Sequence, residues 1–412
     1  MNQLRIQLFF ILCLLLVAGL LLIDIVRILP SLSMIGLALL GISYWFKPSQ
    51  DNTPIAKAPF IVLSLCFWIL LPSYFYSDNI PYWWQKTQLA LPFLVLPLAF
   101  IKIPALTKLK YYQVLSFYVL GVFVISVFAF VNYLFHQESI NQLYLESKVM
   151  PTLVSHHPTF SLMIVFAIYL SYYFYQEQST ILFKKEKIVW FSMGTFLFIF
   201  IHVFSVRSGL LSLYILLFIE ILKLIFQKKQ LKLAIYIGIA LLAVGAGTMY
   251  LSPTVSNKIK NTSQDLKAMN QGESANNQSL SSRFISYQNA IEINKESSVL
   301  WGCGLGDVED ENNKIFATKY PDVSKPIIPH NQFLYYFAAI GAIGLSLFLI
   351  GFYGPFLLNK AFTKPILFTH LILSSLYFLV ESPLVTQIGV AYVLTFLLLG
   401  LQQNKSRKSA NI

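Results

Sequence analysis

The feature that most constrains this chain is a series of apolar runs, each about 20 residues long, recurring along most of its length. Twelve can be drawn, at 6–25, 28–46, 59–76, 88–101, 113–135, 158–175, 188–206, 210–226, 233–251, 331–352, 365–381 and 383–401. A run of that length satisfies its backbone hydrogen bonds within one helix and spans hydrocarbon. Only 12% of residues are charged and mean hydropathy is +0.65, whereas soluble domains carry about 25% charged residues. The expected class is therefore an all-α polytopic membrane protein with about 12 transmembrane helices. The fourth run is short and holds Pro92 and Pro97, so a kink is expected there. Arg5 precedes the first run and no small-residue cleavage site follows it, so the first span is read as uncleaved.

The formal net charge of +12 resembles a nucleic-acid signal. Its distribution says otherwise. Eighteen of the 30 Lys and Arg fall in alternate connections and at the two termini, including Arg5, the basic clusters near 102–110 and 223–232, and the tail at 402–412. The opposite short connections hold four, namely Arg27, Lys86, Lys148 and Arg207. Basic residues favour the cytoplasmic side. Both termini are thus expected in the cytoplasm, and no nucleic-acid partner is needed to explain the charge.

The remaining eight basic residues lie in one long loop, 252–330, which the same alternation places outside. It separates the first nine spans (1–251) from the last three (331–401). Its middle, NTSQDLKAMNQGESANNQSLSS, is polar and reads as irregular chain. SSRFISYQNAIEINKE reads as a short amphipathic helix capped by Ser281 or Ser282, with Phe284, Tyr287 and Ile291 on one face. WGCGLGDVED is a glycine turn, without the spacing of a dinucleotide fingerprint. Cys13, Cys66 and Cys303 make no disulfide framework, and no metal-ligand spacing of Cys and His occurs.

Ionisable residues at membrane depth are costly and need a reason. Glu220 and Lys223, three apart, read as a local pair. His370 and His202 read as interhelical hydrogen-bonding groups. Arg207, in FSVRSGLLSLY, is either a snorkelling cation or a ligand-binding one, and Gly209 beside it would admit close approach. Arg283 is either a solvated charge or, if the loop folds back, a partner of Arg207. His330 follows Pro329 at the start of a span, so His330 or Asn331 is the helix cap. The positive end of that helix disfavours an imidazolium and suits a general base. Ala338, Gly341, Ala342 and Gly344 suit close helix packing along the span. Two cations and one base on one face fit a phosphate-bearing substrate and a nucleophile that loses a proton. No carboxylate cluster for Mg²⁺ stands out, and no cofactor is expected. His156, His157 and Glu381 receive no role.

PHNQFLYYFAAIGAIGLSLFL resembles the His–Asn motif of the O-antigen ligase and O-antigen polymerase superfamily. SVRSGLLSLY resembles its arginine signature, and SSRFISYQNAIEINKESSVLWGCGLGD resembles the segment in which an arginine, a short helix and a glycine turn end the ligation loop. HHPTFSL resembles the family's outer loop before a mid-chain span. The resemblance implies a GT-C type glycosyltransferase taking a glycan from undecaprenyl pyrophosphate at the periplasmic face. It implies His330 as the catalytic histidine, Arg207 and Arg283 as the pair holding the pyrophosphate, and Asn331 as part of the motif. The implied acceptor is a lipid A–core sugar in ligases and a lipid-linked repeat in polymerases. A transporter or flippase of lipid-linked glycans is the alternative of another class, since twelve spans with both ends inside also fit a carrier; a non-catalytic binding or assembly protein is a third.

Overall fold

The computed structural model describes residues 2–48, 56–146, 148–177, 180–183, 185–251, 253–271, 279–321 and 326–403. Among the described residues there are 17 α-helices and no strand. In chain order these are α1 (Asn2–Leu21), α2 (Leu29–Phe46), α3 (Ala58–Trp68), α4 (Ile80–Ala90), α5 (Pro92–Lys102), α6 (Lys108–Phe135), α7 (Gln137–Leu145), α8 (His157–Gln176) and α9 (Glu186–Phe204). There follow α10 (Arg207–Phe226), α11 (Leu231–Leu251), α12 (Pro253–Gln271), α13 (Ser279–Glu296), α14 (Val308–Lys319), α15 (Gln332–Leu358), α16 (Pro365–Val380) and α17 (Gln387–Gln402). The chain forms two compact units, one of Met1–Tyr118 with Ser282–Ile412 and one of Val119–Ser281.

Among the described residues, nine helices are long and apolar enough to cross a membrane, and α16 and α17 are shorter apolar helices. The expected twelve are therefore not all matched. The run at 88–101 is divided between α4 and α5, which meet at Leu91 and Pro92. Proline lacks the N–H that would continue the helix. The polar middle of the long loop also differs from expectation, because α12 occupies 253–271. The basic tail beyond 403 and the stretch 272–278 lie outside the described residues.

In the first unit, α3 packs on α15 and α5, α1 on α2, and α17 on α1 and α5. The interior is aromatic. Phe348 and Phe352 of α15 meet Phe378 of α16 at ring separations of 5.9 and 4.8 Å. Phe333 reaches the same ring edge-on at 5.9 Å. Such contacts add about 0.5–1.5 kcal/mol each beyond burial. They fix the end of α16, two residues after Phe378, against the start of α15.

Gly351 and Gly354 of α15 face Cys66 and Val62 of α3, while Gly341 receives the glycine turn rather than another helix. The helix breaks at Gly341, whose φ is +64°. Two i→i−4 hydrogen bonds are lost there, and the glycine turn replaces both. Ala342 N and Ile343 N donate to Val299 O and Leu300 O at 2.9 and 3.2 Å. Ala338 O and Ala339 O accept from Cys303 N and Gly304 N at 2.9 and 3.0 Å. A Cβ on Gly341 would lie 2.2 Å from Leu300 O, so only glycine admits the turn. Irregular backbone in an apolar helix persists only where its polar groups find new partners, and here all four do.

That turn is anchored on its other side by the segment between α3 and α4. The Asp307 carboxylate accepts from Asp78 N and Asn79 N, the latter at 2.8 Å. Ser77 Oγ accepts from Gly306 N at 3.1 Å, and Tyr76 donates to Trp301 O at 2.9 Å.

In the second unit, α8 packs against α9 and α10, α7 against α12, and α11 against α10 and α12. Glu220 pairs with Lys223 at 2.7 Å, as the three-residue spacing predicts. His202 bridges α9 and α10 through Phe198 O at 2.7 Å and the Tyr214 hydroxyl at 2.9 Å. In the first unit His370 links α16 to α17 through Val393 O at 3.0 Å. All three are structural, as read from the sequence.

Candidate functional site

The site is assembled where the approach to α15 meets the end of α16. Pro329 closes the preceding segment, and Asn331 is the cap of α15. Its Oδ1 accepts from Phe333 N and Leu334 N, both at 3.0 Å. Of the two residues the sequence left open, Asn331 therefore caps, and His330 is released from that duty. Asn331 Nδ2 donates to Leu379 O at 3.1 Å, and Gln332 N to Glu381 O at 3.1 Å. Ser382 Oγ donates to Pro329 O, and Leu384 N to Gln332 Oε1 at 2.8 Å. Four hydrogen bonds thus join the two segments and leave little freedom in the placement of His330 and Glu381.

Glu381 is 5% exposed. Its carboxylate divides between two partners. Oε2 lies 2.5 Å from His330 Nδ1, and Oε1 accepts from Arg283 Nη2 at 2.6 Å. A carboxylate held by a guanidinium is ionised and acts only as an acceptor. Nδ1 of His330 must then carry the proton. In a neutral ring this places the lone pair on Nε2. The His330 side chain is 30% exposed and that of Arg283 23%, so both can be reached from outside the protein.

Tyr287, one turn beyond Arg283 on α13, donates its hydroxyl to His330 O at 3.0 Å. Burial raises the Tyr287 phenol above its usual range; Arg283 opposes this and Glu381 adds to it. The phenol is therefore a proton donor throughout the neutral range. α13 begins at Ser279, so Ser281 and Ser282 lie within the helix and are not its caps. Its buried residues among those described are Ser281, Ser286, Asn289, Ala290, Ile293 and Asn294, while Phe284 and Ile291 are exposed. Of the expected face, Tyr287 turns to His330 while Phe284 and Ile291 are exposed. The helix turns polar groups inward because Asn289 meets Asn312 and Tyr287 meets His330.

Of the residues singled out in the sequence, Arg283, His330 and Asn331 come together. Arg207 is the first residue of α10, in the other unit. Gly209 admits a helix rather than a ligand, since a Cβ there would lie 2.5 Å from Ser161 Cβ of α8. His156 caps α8, taking hydrogen bonds from Thr159. The residue the sequence left without a role is Glu381. A signal for it existed: it ends an apolar run with no Lys or Arg within four positions. A buried carboxylate must find such a partner elsewhere in the chain.

An all-helical chain with this many long apolar helices, and a buried carboxylate holding a histidine and an arginine, defines a multi-pass membrane protein with an ionisable site at a helix junction. Residues 193–349 match the family model described as O-antigen ligase. That stretch, less than half of the chain, is similar to the O-antigen ligase family. The match begins in α9 and ends in α15. It contains Arg207, Arg283, His330 and Asn331, and stops short of Glu381. A comparison with curated proteins returned no match.

Proposed function

We propose that the protein is an inverting glycosyltransferase that moves a glycan from undecaprenyl pyrophosphate to an acceptor hydroxyl, with His330 as general base. The observation that carries this reading is the 2.5 Å contact of His330 Nδ1 with buried Glu381. It commits one ring nitrogen to the carboxylate and makes Nε2 the proton acceptor. The acceptor hydroxyl attacks the anomeric carbon, its proton passes to Nε2, and the carbon–oxygen bond to the pyrophosphate breaks. Polyprenyl pyrophosphate leaves with the bonding pair. Glu381 stabilises the imidazolium formed. General-base help of this kind is worth about 10²–10⁴-fold.

Arg283, oriented by Glu381, is assigned to the pyrophosphate, where a guanidinium fork matches phosphate oxygens. The same role for Arg207 rests on the resemblance of SVRSGLLSLY to the family signature. The site is assigned to the periplasmic face of the inner membrane, with 252–330 as the ligation loop, on the distribution of basic residues. Ligation of O-antigen to lipid A–core in lipopolysaccharide synthesis is the reaction we assign. Polymerisation of lipid-linked repeats uses the same chemistry with another acceptor.

The test has two parts. His330→Ala is expected to abolish transfer while donor binding persists. Full activity in that variant removes the base assignment, and loss of glycan export without a transfer product in the wild type supports a transporter. In a deletion strain, loss of all capped lipid A–core indicates ligation. Core carrying one repeat and no longer chains indicates polymerisation.

A further inference from the structure

The glycine turn that mends the break in α15 also walls a cavity of about 760 Å³ in the first unit, within the range of about 300–1,000 Å³ common for small-ligand sites. Its rim carries Trp301, 52% exposed, beside Tyr76. Its acidic groups are Asp78, Glu296, Asp307 and Glu311. The duties of these groups differ. Asp307 is committed to backbone N–H groups, and Glu311 pairs with Lys314 at 2.5 Å. The carboxylates of Asp78 and Glu296 make no hydrogen bond among the described residues. The Cys303 thiol in the wall is pushed up to about 12, chiefly by burial and then by Asp307 and Glu311, so the wall carries no thiolate at neutral pH.

An exposed aromatic face beside hydrogen-bond acceptors fits a ring that is apolar on its flat face and hydroxylated at its edge. The negative lining disfavours a phosphorylated or carboxylated ligand. The position is also suitable. α13 runs ten residues from Arg283 to Ile293 in the cavity wall, about 15 Å of helix. α15 runs from Gln332 to Ala338, where the turn docks, about 9 Å. The cavity therefore lies roughly 10–15 Å from the His330 cluster, along two helices that begin there.

We propose that this cavity is a subsite for a saccharide lacking anionic groups, a neutral or amino sugar, held on Trp301 and hydrogen-bonded by Asp78 and Glu296. This rests on the glycosyl-transfer reading and adds to it a selectivity for uncharged or cationic sugars remote from the transferred bond.

The experiment is calorimetric titration of the full chain in an amphipathic polymer without sugar headgroups. The probes are lactose, the deacetylated glucosamine disaccharide and digalacturonic acid. The first two are expected to bind, and digalacturonic acid at least about tenfold more weakly. Trp301→Ala is expected to weaken lactose about tenfold. Glu296→Gln, isosteric and exposed, is expected to weaken the diamino sugar more than lactose. The subsite is overturned if neither sugar binds, if digalacturonic acid binds as well, or if Trp301→Ala changes nothing. The same titrations on His330→Ala separate the two readings. Retained sugar binding with lost transfer supports both, lost transfer without sugar binding sinks only the subsite, and retained transfer sinks only the base assignment.

Discussion

His330 and Glu381 lie 51 positions apart in the chain and meet at 2.5 Å through Nδ1 and Oε2. The carboxylate sets which imidazole nitrogen holds the proton, and its second oxygen holds Arg283. One buried charge thus orients two of the three groups assigned to the reaction, His330 and Arg283.

Glu381 is a positioning residue, and its replacement tests that. Glu381→Gln keeps the shape but can present an N–H to Nδ1, favouring the wrong tautomer, and leaves Arg283 without its counter-charge. kcat is expected to fall by about 10²–10⁴, with KM for the donor changed much less. Glu381→Asp is expected to recover part of the rate. A fall confined to protein yield, with normal kcat in the folded fraction, would reduce Glu381 to a structural role.

Tyr287 holds the backbone beside His330 rather than its ring. Tyr287→Phe removes the hydrogen bond to His330 O and should cost about 1 kcal/mol of stability. The folded phenol has a raised pKa, so this contribution is complete below the unfolded value and fades only as pH rises through the folded one. The stability difference between wild type and Tyr287→Phe is therefore expected to be constant from pH 6 to 9, about one unit below the ordinary phenol value near 10. A difference that changes across that window would contradict it.

Gly341 carries both a left-handed φ and a 2.2 Å approach of Leu300 O to any Cβ. Gly341→Ala is expected to lower stability by about 2 kcal/mol or more. The readout is the apparent melting temperature of the solubilised protein. An unchanged value would mean that the turn can leave α15 without cost.

Asp307 ties the segment between α3 and α4 to the same turn. Asp307→Ala leaves the N–H groups of Asp78 and Asn79 without their acceptor and is expected to cost about 2–3 kcal/mol. Faster proteolysis at residues 71–79 is the expected sign. Equal rates in wild type and variant would show that other contacts suffice.

Arg207 and Arg283 are assigned charge neutralisation on the leaving group. Arg207→Lys keeps the charge and loses the fork, so transfer is expected to fall about 10²–10³-fold. Wild-type rates would favour the snorkelling alternative. Excess chelator is expected to leave turnover intact, and a strict divalent-metal requirement would contradict the assignment.

Much of this protein could be read from local pattern. The length and spacing of apolar runs specify a helical chain suited to a membrane, because each such helix meets its backbone needs alone. A cap at His330 or Asn331, the Glu220–Lys223 pair and the interhelical roles of His202 and His370 follow from residues a few positions apart or from the cost of burying polar groups. The break at 88–101 was signalled by Pro92.

What the sequence could not decide depends on contacts between distant segments. Glu381 has no cation near it in the chain, so its partners appear only when α16 is packed on α15 through Phe378. Gly341 suited a neighbouring helix and received a loop, since the absence of a side chain admits either. The face of α13 that is buried, carrying Ser286 and Asn289, could not be told from apolar periodicity, which carries no information about such polar pairings. Local pattern determines which segments are helices; the partners of buried polar groups are chosen by the fold.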